Sequence, residues 1–499
     1  MFLKWLTRHM HSSQKQQETL MSVLNTFKKS TDFSMYEHQN NEVPYKIMFF
    51  STLVDPDRLH KDVLPYINKY ITDGLEILKD KIPIEEISIT SDVKEIKNKV
   101  LQGYILVQLL ADKNKCMLIE ASVNFERDVG MPEVEFTVTG PQESFIESLD
   151  TNINLIRKRL PLPNLQIKEL EVGKITKTKV AVLFIEGIAD QENVKTMMQR
   201  LEDIEFDQIL DSSMLNQMVS DSTLSIFPQY VNTERPDRVS GALTEGKVVV
   251  MSDNSPEAFF GPTTLVEFFS SLEDYYLPWH IASFVRILRF FAVTFSILAA
   301  PVYIAVITFH YELIPKDLLA TIIASRSNIP FPPIVEALFL EFTIELLREA
   351  GARLPTKVGQ TIGIVGGIVI GQASVEAGLT SNILLIIVAL SALASFTTPV
   401  YQMGNTIRII RFPIMIFAAF LGGIGIVICL LFTAAHLIRL TSLGRPYLEP
   451  VYPLRLRDWK DAFFRLPFTF FSSRPVMMRP KDTKRFNASR VKKTKDIDE

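Results

Sequence analysis

Apolar and polar positions alternate along this chain in two different ways. Up to about residue 285, apolar runs of strand length are separated by stretches with helical spacing; beyond Arg286, long runs carry no charge at all. In the first part "YKIMFFSTLVD", "GYILVQLLA" and "CMLIEASV" read as buried strands, and "DPDRLHKDVLPYINKYI" as helix between them. The prolines of "LPLPNLQIKELEVG" mark a linker. After it, "KVAVLFIEGIAD" reads as a strand ending in a turn, "QENVKTMMQRLEDI" as an amphipathic helix and "KVVVMSD" as a further strand. These patterns predict an α/β region of two subdomains, residues 43–158 and 168–255.

In the second part the uncharged runs are Phe290 to Phe309, Val358 to Val375, Ala377 to Ile407 and Phe412 to Ala435. As helices, each is long enough to cross about 30 Å of hydrocarbon. An all-α helical transmembrane domain is therefore expected over 286–440, with at least four spans. Between the two parts, "FFGPTTLVEFFSSLEDYYLPWH" is aromatic and amphipathic, and aromatic residues with one polar edge favour the headgroup layer. Residues 256–285 are expected to run along the membrane surface; an ordinary element packed on the soluble region is the alternative.

Charge refines this division. Residues 1–285 carry 29 Lys or Arg against 42 Asp or Glu, and residues 445–499 carry 14 against 7. The first region is acidic, and the tail over 441–499 has the sign of a cytoplasmic flank beside anionic lipid. Residues 1–42 are polar and read as a mobile lead-in with one short helix. Its apolar patch is too short for a cleavable signal, so the first region is expected to stay cytoplasmic. With both ends on that side, four full crossings are expected, the glutamate-rich segment after Phe331 not spanning fully.

Candidate chemistry is sparse. Cys116 and Cys429 cannot form a disulfide framework, and the seven histidines have no ligand-like spacing, so neither metal nor cofactor is expected. The glycines of "GIVGGIVIG" lack the strand and the Gly-Lys-Ser or Gly-Lys-Thr ending of a phosphate loop, and no nucleophile elbow or zinc signature appears. Enzymatic activity is not expected.

Several ordered blocks carry a resemblance: "GPQESFIESLDTNINLIRKRL", "VAVLFIEGIAD", "FPQYVNTERPDRVSGALTEGKVVVMSDNSP", "SLEDYY", "PFPPIVEALFLEFTIELLREAGARLP", "GQTIGIVGGIVIGQASVEAG" and "LTSLGRPYLEP". Together they cover most of residues 140–450, and the sequence resembles the A subunit of the GerA family of nutrient germinant receptors of the bacterial spore inner membrane. "SDNSP" departs from the Asp-Gly pair common in that family. The resemblance implies a membrane complex with a transporter-like, nutrient-sensing B subunit and a lipoprotein C subunit. It also implies that the A subunit assembles into a pentameric, ligand-gated cation channel that acts early in germination. A secondary transporter, or a non-conducting scaffold for the B subunit, are the alternatives.

The run Val358 to Val375 is the candidate pore helix. At about 100° per residue, Gly359, Gly363, Gly366 and Gly367 fall on one side, while Thr361, Val365, Ile368, Gln372 and Glu376 cluster opposite. Small residues let helices approach closely in lipid; the polar side can line a cation path, with Val365 and Ile368 as its apolar constriction. The other reading is a buried packing helix. Glu336, Glu341 and Glu345, with Glu349, punctuate the apolar sequence after Phe331, either as acids of a vestibule or as members of an ion-pair lattice. Arg408 and Arg411, three residues apart, are expected at a membrane boundary, with lipid phosphate or acids of an adjoining subunit as the alternative partners. The charges of "NTERPDRV" are expected to fix a loop, with a direct subunit contact as the alternative.

Overall fold

The computed structural model describes residues 19–40, 43–111, 115–123, 130–132, 135–354, 366–367 and 369–486. Its first lobe opens earlier than the sequence suggests. Helix α1 (Leu20–Phe27) is capped by the Thr19 hydroxyl and buries Val23, Leu24 and Phe27. It leads into the antiparallel hairpin β1 (Phe33–Asn40) and β2 (Val43–Phe50). Residues 20–40 are thus structure and not lead-in. The strand β1 was illegible because "SMYEHQN" is mostly polar, as an edge strand can be.

Helices α2 (Leu64–Tyr70) and α3 (Leu75–Lys81), strand β3 (Ile87–Thr90), helix α4 (Val93–Val100) and strands β4 (Tyr104–Leu109) and β5 (Cys116–Glu120) complete the lobe. The strand order is β1-β2-β4-β5-β3. One face of the sheet packs on α2 and α3, the other on α1 and α4.

The second lobe repeats this plan. Helix α5 (Leu149–Arg159) precedes the hairpin β6 (Leu165–Val172) and β7 (Thr178–Ile185). Then come α6 (Gln191–Glu202), α7 (Ser212–Val219), β8 (Val231–Thr233), α8 (Pro236–Glu245), β9 (Val248–Ser252) and β10 (Ala258–Gly261). The order is β6-β7-β9-β10-β8, the first sheet's topology strand for strand. Helices α6 and α7 cover one face, α5 and α8 the other.

Two boundaries move as a result. Helix α5 buries Leu149, Ile153 and Ile156 against Ile167 and Leu183 of the second sheet, so it belongs to the second lobe. The prolines after it make a tight connection, not a domain linker. Phe259 and Phe260 lie in β10, and Phe268 and Phe269 in the turn that follows it are also buried on this lobe. That part of 256–285 therefore packs on the lobe instead of lining a membrane surface: its aromatic residues answer to the sheet, which the linear pattern could not reveal.

The helical body begins with α9 (Trp279–Phe309), followed by α10 (Lys316–Arg326), α11 (Pro333–Arg353), α12 (Asn382–Ser395), α13 (Tyr401–Leu421) and α14 (Gly423–Arg439). Among the described residues, α9 and α13 are long and apolar enough to cross a membrane; α12 and α14 are shorter apolar helices. Both long runs toward the end of the body are broken. Ala377 to Ile407 divides between α12 and α13, and Phe412 to Ala435 divides at Gly422. There φ is +60°, and an added Cβ would lie 3.0 Å from both His310 Nε2 and Phe309 Cβ. Glycine is required by conformation and by space. Hydrophobicity locates apolar segments, but a turn at a small residue costs it nothing.

After α14 the chain returns to the second lobe through the hairpin β11 (Thr441–Ser442) and β12 (Arg445–Pro446). Tyr447 is buried with its hydroxyl donating to Pro228 O at 2.7 Å, and Lys481 N donates to Ile188 O at 2.9 Å. The basic tail as far as residue 486 is thus part of the lobe's surface structure.

Candidate functional site

The acids and arginines of the helical body meet one another in its interior. Glu336 on α11 is fully buried; its Oε1 lies 2.8 Å from Arg326 Nη2 of α10, and its Oε2 accepts from Ser381 N at 3.1 Å. It thereby places negative charge at the N-terminus of α12, where the helix dipole favours it. Five residues on, Glu341 Oε1 accepts from Arg411 Nη1 of α13 at 2.8 Å. The same Nη1 donates to Ser391 Oγ of α12 at 2.9 Å, and that hydroxyl donates to Ser296 O of α9 at 2.9 Å. One chain of polar contacts thus ties four helices. Glu345 pairs with Arg348 at 2.5 Å and with Arg408 at 3.5 Å, and Asn405 Oδ1 accepts from both arginines.

Arg408 and Arg411 lie within α13, Arg411 at 1% exposure, with the acids of α11 facing them across the helix contact. Glu349 pairs with Arg353 on the surface. Sequence spacing brought Glu341, Glu345 and Glu349 to one face of α11, yet only the packing separates two paired with α13 from one left exposed.

Of the candidate pore helix, Gly359, Thr361, Gly363, Val365 and Ile368 lie outside the described residues. Residues 369–376 are helical, with Gln372 and Glu376 exposed and Ser374 buried. Gly366 faces α11, where an added Cβ would come within 2.7 Å of the Leu347 side chain; Gly367 has open space.

Besides the apolar packing of Val293, Val400, Met403 and Ile407 on the second lobe's core, polar contacts join lobe and body at two places that sequence reading missed. At the base of α9, buried Asp274 holds Arg286 and Arg289, with O–N distances of 3.1 and 3.2 Å. Arg286 also donates to Asp461 O of the returning segment. Elsewhere, the loop after α7 touches the last two helices: Thr406 Oγ1 of α13 donates to Ile226 O at 2.6 Å, and Ser225 Oγ lies 2.9 Å from His436 Nε2 of α14. In that loop Asp221 accepts from Thr441 Oγ1 at 2.6 Å, Leu443 N at 3.0 Å and Gly444 N at 2.8 Å, and pairs with Arg200 at 2.5 Å. Nothing in the short polar string around Asp221 signals this.

Burial would raise the Asp221 carboxyl, but Thr441, Arg200 and Gly444 together outweigh it and hold it below the usual aspartate range. Its stabilisation is present above the unfolded-state pKa and is lost as pH falls through the depressed folded value. Asp221→Ala strands two backbone N–H groups and takes its carboxylate from Arg200, which keeps Val219 O and the Tyr230 hydroxyl, and is expected to cost about 2 kcal/mol. Limited proteolysis of the full chain should then cut between residues 440 and 486 faster than in wild type; equal rates would show that this clamp contributes little.

"NTERPDRV" spans the end of β8 and the start of α8, not a loop, and its charges hold the segment around residues 135–141. Arg235, 1% exposed, pairs with Asp237 at 2.8 Å and donates to Pro141 O at 2.7 Å, while Arg238 pairs with Glu135. No cluster of three His, Cys, Asp or Glu able to hold a metal occurs among the described residues.

These features define a two-lobed α/β protein clamped to a helical body at both ends of that body. The family described as Bacillus/Clostridium GerA spore germination protein matches residues 21–477. The chain belongs to this GerA family. It is 52% identical to spore germination protein GerQA of Bacillus cereus over 96% of each chain. It is 49% identical to GerIA of Bacillus cereus, over 94% of this chain and 70% of that one. Spore germination protein KA of Bacillus subtilis (strain 168) is 36% identical over 92% of this chain and 87% of its own. Among solved structures, the N-terminal domain of the A subunit of the Bacillus megaterium spore germinant receptor GerK3 aligns with 23% identity and a TM-score of 0.36, over 49% of this chain and 92% of that one.

Proposed function

We propose that this chain is the A subunit of a nutrient germinant receptor in the spore inner membrane, and that copies of it form a closed, pentameric ring that conducts cations when nutrient is sensed. Family membership carries the first part of the reading. The observation that most favours conduction is the exposed polar edge of residues 369–376: Gln372 and Glu376 face outward, whereas Glu336, Glu341 and Glu345 are taken up by arginines. A polar helix face disfavoured by lipid is accommodated where identical faces surround water. A ring follows when one heterologous interface closes on itself.

In this reading Thr361, Val365, Ile368, Gln372 and Glu376 line the path and Gly359, Gly363, Gly366 and Gly367 pack against neighbouring helices. The B subunit senses nutrient, and the lipoprotein C subunit completes the complex. In this reading the lobes and the tail are cytoplasmic; the departure of α9 from the second lobe and the return of the segment after α14 to it support their lying on one side.

Val365→Ala and Val365→Ser test the path. Both loosen the apolar constriction, so each is expected to raise basal cation flux several-fold in vegetative cells, Ser at least as much as Ala, and to trigger germination without nutrient. Gly363→Ala should instead reduce assembly. Assembled Val365 and Ile368 variants that neither leak nor alter germination would overturn conduction through this helix and favour the scaffold or transporter reading.

A further inference from the structure

The chain that leaves α14 runs past the ends of the apolar helices as it returns. Tyr447 N donates to Leu440 O at 3.1 Å, just beyond the uncharged run that ends at Ala435. Further on, the Phe463 ring centre lies 5.3 Å from that of Phe290, where the uncharged run of α9 begins. Ser283 Oγ accepts from Arg465 N at 3.0 Å and donates to Arg465 O at 2.9 Å. Ser283 precedes Phe290 by about two turns, or 10 Å, along the helix. The returning segment is thus fixed at two points to the boundary of the apolar body, at the depth where headgroups lie when that body is in a bilayer.

Its outward side is apolar. Tyr452, Leu454, Leu456, Phe464, Phe468 and Phe470 are all exposed, Leu456 at 67% and Phe470 at 58%. On α9 at the same level Ile281, Phe284, Leu288 and Phe291 are exposed as well, and their spacing of three and four residues puts them in one stripe. Single exposed apolar residues are ordinary. A group of them that adjoins the apolar stripe of a long helix marks contact with something apolar.

Charge narrows what that is. Residues 451–486 carry nine Lys or Arg against three Asp. All three aspartates are engaged: Asp458 by Val476 N and Met477 N at 3.1 Å, Asp461 by the Tyr275 hydroxyl at 2.8 Å, and Asp482 by Arg474 at 3.0 Å. Arg457, next to Leu456, is exposed. Aromatic and aliphatic side chains interleaved with cations, at the level of the helix ends, match acyl chains beneath a layer of phosphate. A symmetric contact with a second copy would instead set two positive surfaces against each other.

We infer that residues 451–471 form a lipid-binding strap at the base of α9: Leu454, Leu456, Phe464, Phe468 and Phe470 enter the boundary between headgroups and acyl chains, and Arg457 meets lipid phosphate. The strap rests on the membrane reading above, and it puts the surface-lying element after the last helix instead of in residues 256–285. It is built to hold its shape. The Arg465 guanidinium, itself buried, lies 4.0 Å from the centre of the Phe468 ring and 5.1 Å from that of Phe471. It also links the bilayer surface to the second lobe, because Asp461 O accepts from Arg286, which Asp274 holds from the turn after β10.

Fluorescence quenching in vesicles of phosphatidylglycerol and phosphatidylethanolamine tests the strap. The full chain, with Cys429→Ala and the buried Cys116 left in place, is labelled with bimane at Leu456→Cys or Phe470→Cys. Leu431→Cys, exposed on α14, and Ile175→Cys, exposed in the turn between β6 and β7, are the references. Lipid carrying a doxyl group near the headgroup end of its acyl chain is expected to quench the Leu456 and Phe470 positions at least about twofold more than the Ile175 position, and iodide on both sides of the membrane to quench them about twofold less. If the Leu431 position is quenched by doxyl lipid while Leu456 and Phe470 are quenched only by iodide, the strap faces water and the proposal fails. Protection of both positions from both quenchers would show them covered by protein, a second copy of the chain, and would overturn it equally. An unquenched Leu431 position in doxyl lipid would remove the membrane reading itself, a result distinct from either.

Discussion

Arg157→Leu is expected to destabilise the two-lobed half by about 3–5 kcal/mol, the range for breaking a buried ion pair from one side. Arg157 on α5 is 1% exposed and grips Asp32, just ahead of β1, with Nε to Oδ2 at 2.5 Å and Nη2 to Oδ1 at 2.6 Å. Ser30 and Thr52 complete the shell around the aspartate, and the guanidinium lies 4.1 Å from the centre of the Phe50 ring. Because α5 belongs to the second lobe and Asp32 to the first, this pair is the chief polar joint between them. Removing Arg157 leaves a buried carboxylate with hydroxyls alone. Thr31 N, which donates to Ile167 O at 3.0 Å, and Asn154 Nδ2, which donates to Thr52 O at 2.6 Å, cross the same joint and would be strained by any separation. Urea denaturation of the full chain in detergent measures the loss. The double replacement Asp32→Asn with Arg157→Leu should recover a substantial part of it, since no buried charge then remains. Additive losses would assign Arg157 a packing role only.

Arg411→Leu is expected to cause a loss of similar size in the helical body, about 3–5 kcal/mol. It strands Glu341, itself fully buried, and removes the contacts that tie α13 to α11 and α12. The pair is replaceable as a unit: Glu341→Leu with Arg411→Leu should regain most of the stability, because an apolar pair of similar volume has no desolvation penalty. In spores the single variant should accumulate to a small fraction of the wild-type level, and the double variant to near that level. Immunoblots of spore membranes and thermal melting in detergent provide the two readings. A single variant that accumulates and melts like wild type would show that Arg411 is not needed to neutralise Glu341.

The fold was legible where local pattern and final environment coincide. "VAVLFI" is apolar throughout, and β7 is a central strand whose residues are almost all buried. The helical spacing of "QENVKTMMQRLEDI" became α6, with Val194, Met197 and Leu201 inward. Where the two diverge, pattern misleads. Phe259 and Phe260 look amphipathic in line with Tyr275 and Trp279, yet they are the interior of a strand, whereas Trp279 is 47% exposed at the start of α9. Gly422 looks like one more small residue in an apolar span and is a turn.

By itself, the sequence determined that acidic α/β units precede a charge-poor helical region, which residues supply unusual charge within it, and to which family the ordered blocks belong. These are properties of composition and spacing, and transfer free energies act on each segment wherever it goes. Only the tertiary structure decided that Arg411 answers Glu341 from seventy residues away, that Asp221 receives the returning tail, and that Asp32 and Arg157 lock one lobe to the other. A buried charge requires a partner, but the requirement does not say which. That choice belongs to the packing of whole elements, which brings distant side chains within hydrogen-bond reach only after the apolar faces have set the helices and sheets in place.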